Sequence, residues 1–354
     1  MFSSIKKVIR DAKKGKLFIL VDDKNRENEG DLVVPAKKIT PKKINFMAKH
    51  ARGLICLALD EKKIKDLNLS LMPKANASRF DTAFTVSIEA RKGVTTGISA
   101  YDRAKTIKVA IKKNSTKKDI STPGHIFPLV ARSGGVLERA GHTEASVDIS
   151  KLSNCGPSAV ICEILNEDGS MARMNDLKKY SKKFNLNIAR IEDLIAYRLT
   201  RETLIKFKRS EIVEINKKNK YQIKIFDNVI DKKEHLALLK NFNPRSTPRV
   251  RVIAVSILKS LISKNIDNKL INKSLEYFNK YNNCVLIIIK DEQSKNRKKF
   301  NNKIKNNLIK NYGIGAQILK YLKIKRLILV TRSKKKLPAW NGFGIKIIKQ
   351  EIIR

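Results

Sequence analysis

Leu17–Asp31 reads LFILVDDKNRENEGD. An apolar run passes directly into ten residues that hold five carboxylates, Asp22, Asp23, Glu27, Glu29 and Asp31, together with Arg26. The apolar part reads as a buried strand. Carboxylates at the C-terminal end of a strand are placed to bind a hard divalent cation or to handle protons, and Gly30 is expected to let the backbone turn tightly around a ligand. Taken alone, a solvated acidic turn explains such a run as well. Upstream, Ile5, Val8, Ile9 and Ala12 recur at helical spacing and Gly15 supplies a C-terminal cap, so the pattern begins as helix, strand, acidic loop.

The same alternation continues outward. Thr40 and Pro41 form an N-cap and first-turn signal, Ile44, Met47 and Ala48 give an apolar stripe, and Gly53 precedes the strand LICLAL. Further strands are expected at AFTVSIEA and SAVICEIL, and helices near 99–112, 175–184 and 191–207. The class is α/β or α+β. At 354 residues the chain exceeds the size of a single growing core, so two domains are expected. The character changes near residue 200 to short strands, Asn-rich connectors and a late YGIGAQILKYL segment, which divides the chain into 1–200 and 201–354, the second a smaller α/β domain.

The formal charge of +43 raises nucleic-acid binding as a rival function class. The excess is +16 over residues 1–200 and +27 over 201–354. In the second half it sits among Asn and Ile, as in KKFNNKIKNNLIKN, with few aromatics for base stacking. A solvated basic face accounts for it, leaving nucleic acid as a non-specific partner through charge. Four scattered cysteines form no CxxC pair, which argues against a zinc ribbon or a disulfide framework. No apolar run approaches the roughly 18 residues of a membrane span, and MFSSIKKVIR lacks a secretory apolar stretch, so the expectation is a cytoplasmic chain without membrane contact.

Two more clusters carry chemistry. Pro123–Thr143 reads as a functional loop region with His125 and His142. Within it, Arg139, Ala140, Gly141, His142 and Thr143 combine a guanidinium, a hydroxyl, backbone amides and an imidazole, a set that can seat a phosphate while His142 faces a metal. In CEILNEDGSMAR (162–173), Glu163 lies inside an apolar strand, where burial raises a carboxyl pKa toward the range of a general acid or base.

In chain order, DDKNRENEGD, FTVSIEARKGVTTGISAYDRAKTI, TPGHIFPL, RSGGVLERAGHTEASVD and CEILNEDGSMAR closely resemble the 3,4-dihydroxy-2-butanone 4-phosphate synthase family, over about residues 2–200. The resemblance implies the mixed-sheet fold of that family and conversion of ribulose 5-phosphate to 3,4-dihydroxy-2-butanone 4-phosphate and formate in riboflavin biosynthesis. It implies Mg²⁺ on Glu27 and His142, with Mn²⁺ as a substitute because magnesium prefers oxygen ligands. It also implies that Arg26, Glu27, Asp31, Arg139 to Thr143 and Glu163 hold the sugar phosphate, that His125, Glu163 and Asp31 serve the proton transfers, and that the enzyme is a homodimer. Asp81 stands where the family usually carries glycine.

KEHLALLKN, TPRVRV and NYGIGAQILKYLKIKRLILVT are similar to the GTP cyclohydrolase II module. That family uses zinc held by three closely spaced cysteines, whereas VIAVSILKSLISKN follows here without one, and Cys284 is the only thiol in this half. No zinc and no GTP cyclohydrolase activity are expected. Two rivals remain: a basic nucleic-acid-binding protein on a retired enzyme scaffold, and a bifunctional enzyme with a substitute metal site.

Overall fold

The computed structural model describes residues 2–23, 26–73, 82–215, 219–255, 266–290, 301–334 and 338–353. Asp81 lies outside them. The chain divides into two compact units, Met1–Ile195 and Ala196–Arg354.

The first unit begins with α1 (Ile5–Lys14), capped by Ser4 at its start and by Gly15 at φ 74° at its end, and leads into β1 (Phe18–Val21) and β2 (Gly30–Pro35). Thr40 caps α2 (Pro41–Phe46), as its Thr-Pro signal implies, and the helix runs on through a π turn to Ala51 before β3 (Cys56–Asp60). After α3 (Glu61–Asp66) come β4 (Ile88–Ala90), α4 (Ala100–Ala110), β5 (Ile120–Ala131), α5 (His142–Leu152), β6 (Ser158–Glu163), α6 (Met174–Lys183), β7 (Asn187–Arg190) and α7 (Ile191–Arg201). The strands form one seven-stranded sheet in the order β4-β5-β3-β6-β2-β1-β7. It is mixed: β3 with β5 and β1 with β7 run parallel, the other pairs antiparallel.

Alternation along these strands decides which side chains meet. Leu32, Val34, Leu57, Leu59, Val160 and Cys162 point into a core shared with Ile44 and Met47 of the second helix, Ala104 and Ile107 of α4 and Leu177 of α6. The intervening residues face α5, which crosses β1, β2, β3, β5 and β6 and packs Val147 against Ala58 and Ala131. Asp31 and Glu163 belong to this second set. They stand opposite each other in the β2–β6 register, under the helix whose first residue is His142.

In the second unit, β8 (Ile205–Ile215), β9 (Asn219–Asn228) and β10 (Glu234–Lys240) form an antiparallel meander. It joins the parallel strands β11 (Arg249–Val255), β12 (Cys284–Lys290), β13 (Arg326–Thr331) and β14 (Lys346–Ile352) in the order β14-β13-β11-β12-β10-β9-β8. Helix α8 (Ile266–Asn279) packs Phe278 on one face with Leu286 and Ile288, and α9 (Asn301–Tyr321) packs Ile314 and Ile318 on the other with Val285 and Ile287. Strands buried on both faces read as near-continuous apolar runs, as CVLIIIK does.

Several expectations change. The helix expected over 191–207 ends at Arg201, because Leu204 turns its N–H to Gln317 Oε1 and β8 starts at Ile205. Of AFTVSIEA, only Ile88–Ala90 forms a continuous strand, with Phe84 and Thr85 in isolated bridges. Much of the Pro123–Thr143 region is strand, since β5 spans Ile120–Ala131. The strands β8 and β9 are long rather than short, at 11 and 10 residues. No described helix is long and apolar enough to cross a membrane.

Leu57 is fully buried in β3. Leu57→Ala should cost about 2–5 kcal/mol of first-unit stability, read as a lower urea midpoint at unchanged slope. A loss below about 0.5 kcal/mol would show that this layer does not carry the fold.

Candidate active site

The acidic loop closes around one side chain. Asp22, whose carboxylate is sequestered from solvent, accepts Arg26 Nη1 at 2.9 Å and the Glu27 backbone N–H at 3.0 Å on Oδ2, and the Glu29 N–H at 2.9 Å on Oδ1. One anion thereby ties Arg26, Glu27 and Glu29 of the β1–β2 connection together. The tight bend is made by Asn28, at φ 57°. Gly30, expected at the bend, instead opens β2, where Leu177 packs so closely that a Cβ would fall 2.7 Å from its Cδ1. Arg173 fastens the loop from outside, donating from Nη1 to the carbonyls of Glu27 at 2.6 Å and Asn28 at 2.9 Å.

His142, 7% exposed, stands at the head of α5 with Nδ1 3.7 Å from Glu27 Oε2 and Nε2 4.0 Å from Asp31 Oδ1. Nε2 is buried without a hydrogen-bond partner. Burial opposes a charged imidazole, but Asp31, Glu27 and Asp22 outweigh it and push His142 up to about 9. Asp31 moves the same way for the opposite reason. Its burial, reinforced by the neighbouring Glu163, Glu27 and Asp22 charges, lifts it well above the usual carboxylate range against the pull of His142. Glu27 is buried too, yet His142 and Arg26, whose Nη1 lies 2.6 Å from Oε2, hold it below the ordinary value.

Asp22, Glu27 and His142 bring potential ligand atoms within 4.8 Å of one another. The oxygens of Asp22 already accept three hydrogen bonds, which shape the loop, so Glu27 and the imidazole of His142 are the members of this group that could serve as ligands with least rearrangement. A carboxylate with an imidazole fits Mg²⁺ or Mn²⁺, and the unsatisfied Nε2 is the kind of buried polar atom that a bound ion explains.

Glu163 is held from two sides. Its Oε2 accepts the Leu54 N–H at 2.9 Å, and Gly53 lies so close that a Cβ would fall 2.4 Å from the Glu163 carbonyl oxygen. Arg139 pairs with the buried Glu144 at 2.6 Å and donates to Thr82 Oγ1 at 3.1 Å, while Ala140 and Gly141 lead into α5, whose N-cap Gly141 offers no side-chain acceptor. The first amides of α5, with Thr143 in its first turn, therefore form an anion-favouring helix start.

Of the residues singled out in the sequence, Arg26, Glu27, Asp31, His142 and Glu163 gather on the α5 face, with Arg139 to Thr143 at its edge. His125 stands apart from the others. It occupies β5, separated from β6 by β3, and pairs its Nδ1 with Glu89 Oε2 at 2.8 Å. It lies two residues before Phe127, which pairs with Cys56 at the start of β3. Sequence reasoning missed Glu89 and the clamp role of Arg173, whose partners are 36 and 146 residues away, and Glu144, which pairs with Arg139 five residues before it.

Residues 6–197 match the family model for 3,4-dihydroxy-2-butanone 4-phosphate synthase, and residues 208–352 match that for GTP cyclohydrolase II. A 3,4-dihydroxy-2-butanone 4-phosphate synthase of Photobacterium phosphoreum is 40% identical over 357 residues, covering 98% of both chains. Among solved structures, RibBX, a two domain 3,4-dihydroxy-2-butanone 4-phosphate synthase from A. baumannii, aligns with a TM-score of 0.84 at 36% identity over 99% of each chain. A synthase in complex with two magnesium ions aligns with a TM-score of 0.54 at 36% identity, covering 56% of this chain and 98% of its own. The chain belongs to the 3,4-dihydroxy-2-butanone 4-phosphate synthase family, with a GTP cyclohydrolase II domain following the synthase domain.

Proposed function

We propose that residues 1–200 convert D-ribulose 5-phosphate to L-3,4-dihydroxy-2-butanone 4-phosphate and formate in riboflavin biosynthesis, as a homodimer. The observation that carries this reading is the grouping of buried Asp31 and His142 with half-buried Glu163 and Glu27, in which one imidazole nitrogen lacks a partner. A divalent cation, Mg²⁺ or Mn²⁺, held by Glu27 and His142 would supply positive charge beside the sugar oxygens as a proton leaves the neighbouring carbon.

The chain's own groups divide the remaining work. The helix start of α5, with Thr143 and Arg139, seats the phosphate and fixes the sugar's direction. Arg26, tied to Asp22 and Glu27, keeps the loop against the substrate. Asp31, its carboxyl raised by burial, takes up and returns protons near neutral pH, which an ordinary aspartate does poorly. Glu163 has Oε2 committed to Leu54 N–H, leaving Oε1 for the substrate side. His125 is the third proton-transfer group. Enolisation, dehydration, rearrangement and release of C4 as formate complete the sequence.

For residues 201–354 we propose no GTP cyclohydrolase activity. Cys284, the only thiol there, is buried within β12, where burial raises its pKa to about 11, so it offers neither a cysteine cluster nor an accessible thiolate.

Formate release from ribulose 5-phosphate tests the reading. Turnover should require Mg²⁺ or Mn²⁺ and fall by at least about 100-fold in Glu27→Ala and in His142→Ala, a loss of about 3 kcal/mol of transition-state stabilisation. A folded, metal-supplied wild-type chain that releases no formate refutes it. Metal binding should also depend on pH with a definite sign. A ligating His142 must be neutral, and without metal its pKa lies near 9, so binding between pH 6 and 8 displaces about one proton. Mn²⁺ affinity should therefore rise about tenfold per pH unit by calorimetry, and a flat profile would remove His142 from the ligand set. Elemental analysis of the purified chain should find no stoichiometric zinc in the second unit; one zinc per chain, with GTP turnover, would restore a second activity.

A further inference from the structure

Glu89 is a carboxylate that the reaction scheme above does not use, and its surroundings are built. Its Oε2 faces His125 Nδ1 at 2.8 Å and accepts the His125 backbone N–H at 3.2 Å, while Oε1 accepts Thr106 Oγ1–H at 2.5 Å. Thr106, fully buried, is held in turn by the Ala90 N–H at 3.0 Å. Across from them Gly97, at φ 87°, closes the space: a Cβ there would fall 2.0 Å from Glu89 Oε2 and 2.7 Å from His125 Nδ1. Gly97 is fixed by Asp102, whose Oδ2 accepts its N–H at 3.1 Å and Thr95 Oγ1–H at 2.8 Å.

We infer that Glu89 is the positioning residue for His125: it holds the proton on Nδ1, fixes the ring against the Gly97 wall and leaves Nε2 as the nitrogen that exchanges protons with substrate. That His125 exchanges protons rests on the synthase reading; the pairing does not. A carboxylate accepts from all three donors at once, whereas an amide in its place has one acceptor oxygen and must turn an N–H toward one side. When the ring is neutral, an acceptor at 2.8 Å from Nδ1 selects the Nδ1–H tautomer, which histidine in water does not favour. Nε2 makes no hydrogen bond among the described residues, and the side chain is 42% exposed, so that nitrogen is available.

The full chain, labelled with ¹⁵N-histidine and with His125 assigned by the signal lost in His125→Asn, reports the tautomer directly at a pH where the ring is neutral. Wild type should show Nδ1–H with Nε2 bare, and Glu89→Ala should move His125 to the Nε2–H form. In parallel, Glu89→Gln, which preserves packing, should lose kcat by about 10-fold or more with KM within about 3-fold. An Nε2–H tautomer in wild type overturns the inference, as does a wild-type tautomer in Glu89→Ala or wild-type kcat in Glu89→Gln. If wild type itself releases no formate, the synthase reading fails while the tautomer still decides the role of Glu89.

Discussion

Two carboxylates placed opposite each other on adjacent strands repel, and burying one of them, as Asp31 is buried, raises the cost. That is the arrangement the β2–β6 register imposes on Asp31 and Glu163. The rest of the first unit is organised to hold it. Leu32 and Cys162, the neighbours of these carboxylates along the strands, are locked into the core on the far face, so neither acid can leave without shifting a strand by one residue and exposing that core. The imidazole of His142 is the cationic group that α5 delivers to the same place: the carboxylates of Asp31, Glu27 and Asp22 hold its pKa up against its burial, and it in turn opposes the rise that burial imposes on Asp31. Stability is spent to keep a set of groups poised for proton transfer and cation binding.

The loop that completes the site follows from the same constraint. With Asp22 sequestered and accepting from Arg26 and the amides of Glu27 and Glu29, the loop is held so that Glu27 lies beside His142. Arg173 adds a clamp from the segment after β6, so the strand that carries Glu163 also feeds the residue that holds the acidic loop. A ligand geometry set by backbone carbonyls and a buried anion is more rigid than one left to side chains alone.

Much of this was legible in the sequence, because it is local. The helix stripe Ile5, Val8, Ala12 with Gly15 at φ 74°, the Thr40-Pro41 start and the buried runs of β1, β3 and β6 all follow from periodicity and caps. The acidic loop and the Arg139–Thr143 cluster announced themselves by residue type. Three features could not be read. Gly30 looked like a turn glycine but yields to the packing of Leu177, a contact across nearly 150 residues. The end of α7 is set by Gln317, from a helix more than 100 residues away. The pairing of His125 with Glu89 depends on a β4–β5 register that shifts between Ile88 and Glu89, which no local pattern encodes. The net charge of +43 gave no pointer to this site, whose candidate cation ligands include two carboxylates.

The central claim is that His142 and Glu27 form a cation site beneath α5. Electron–nuclear double resonance on the Mn²⁺-loaded chain carrying ¹⁵N-histidine tests it most directly. The account predicts coupling to a single imidazole nitrogen, present in wild type and in His125→Asn and abolished in His142→Gln. Stoichiometric Mn²⁺ without any imidazole coupling, or with coupling that survives His142→Gln, would contradict it.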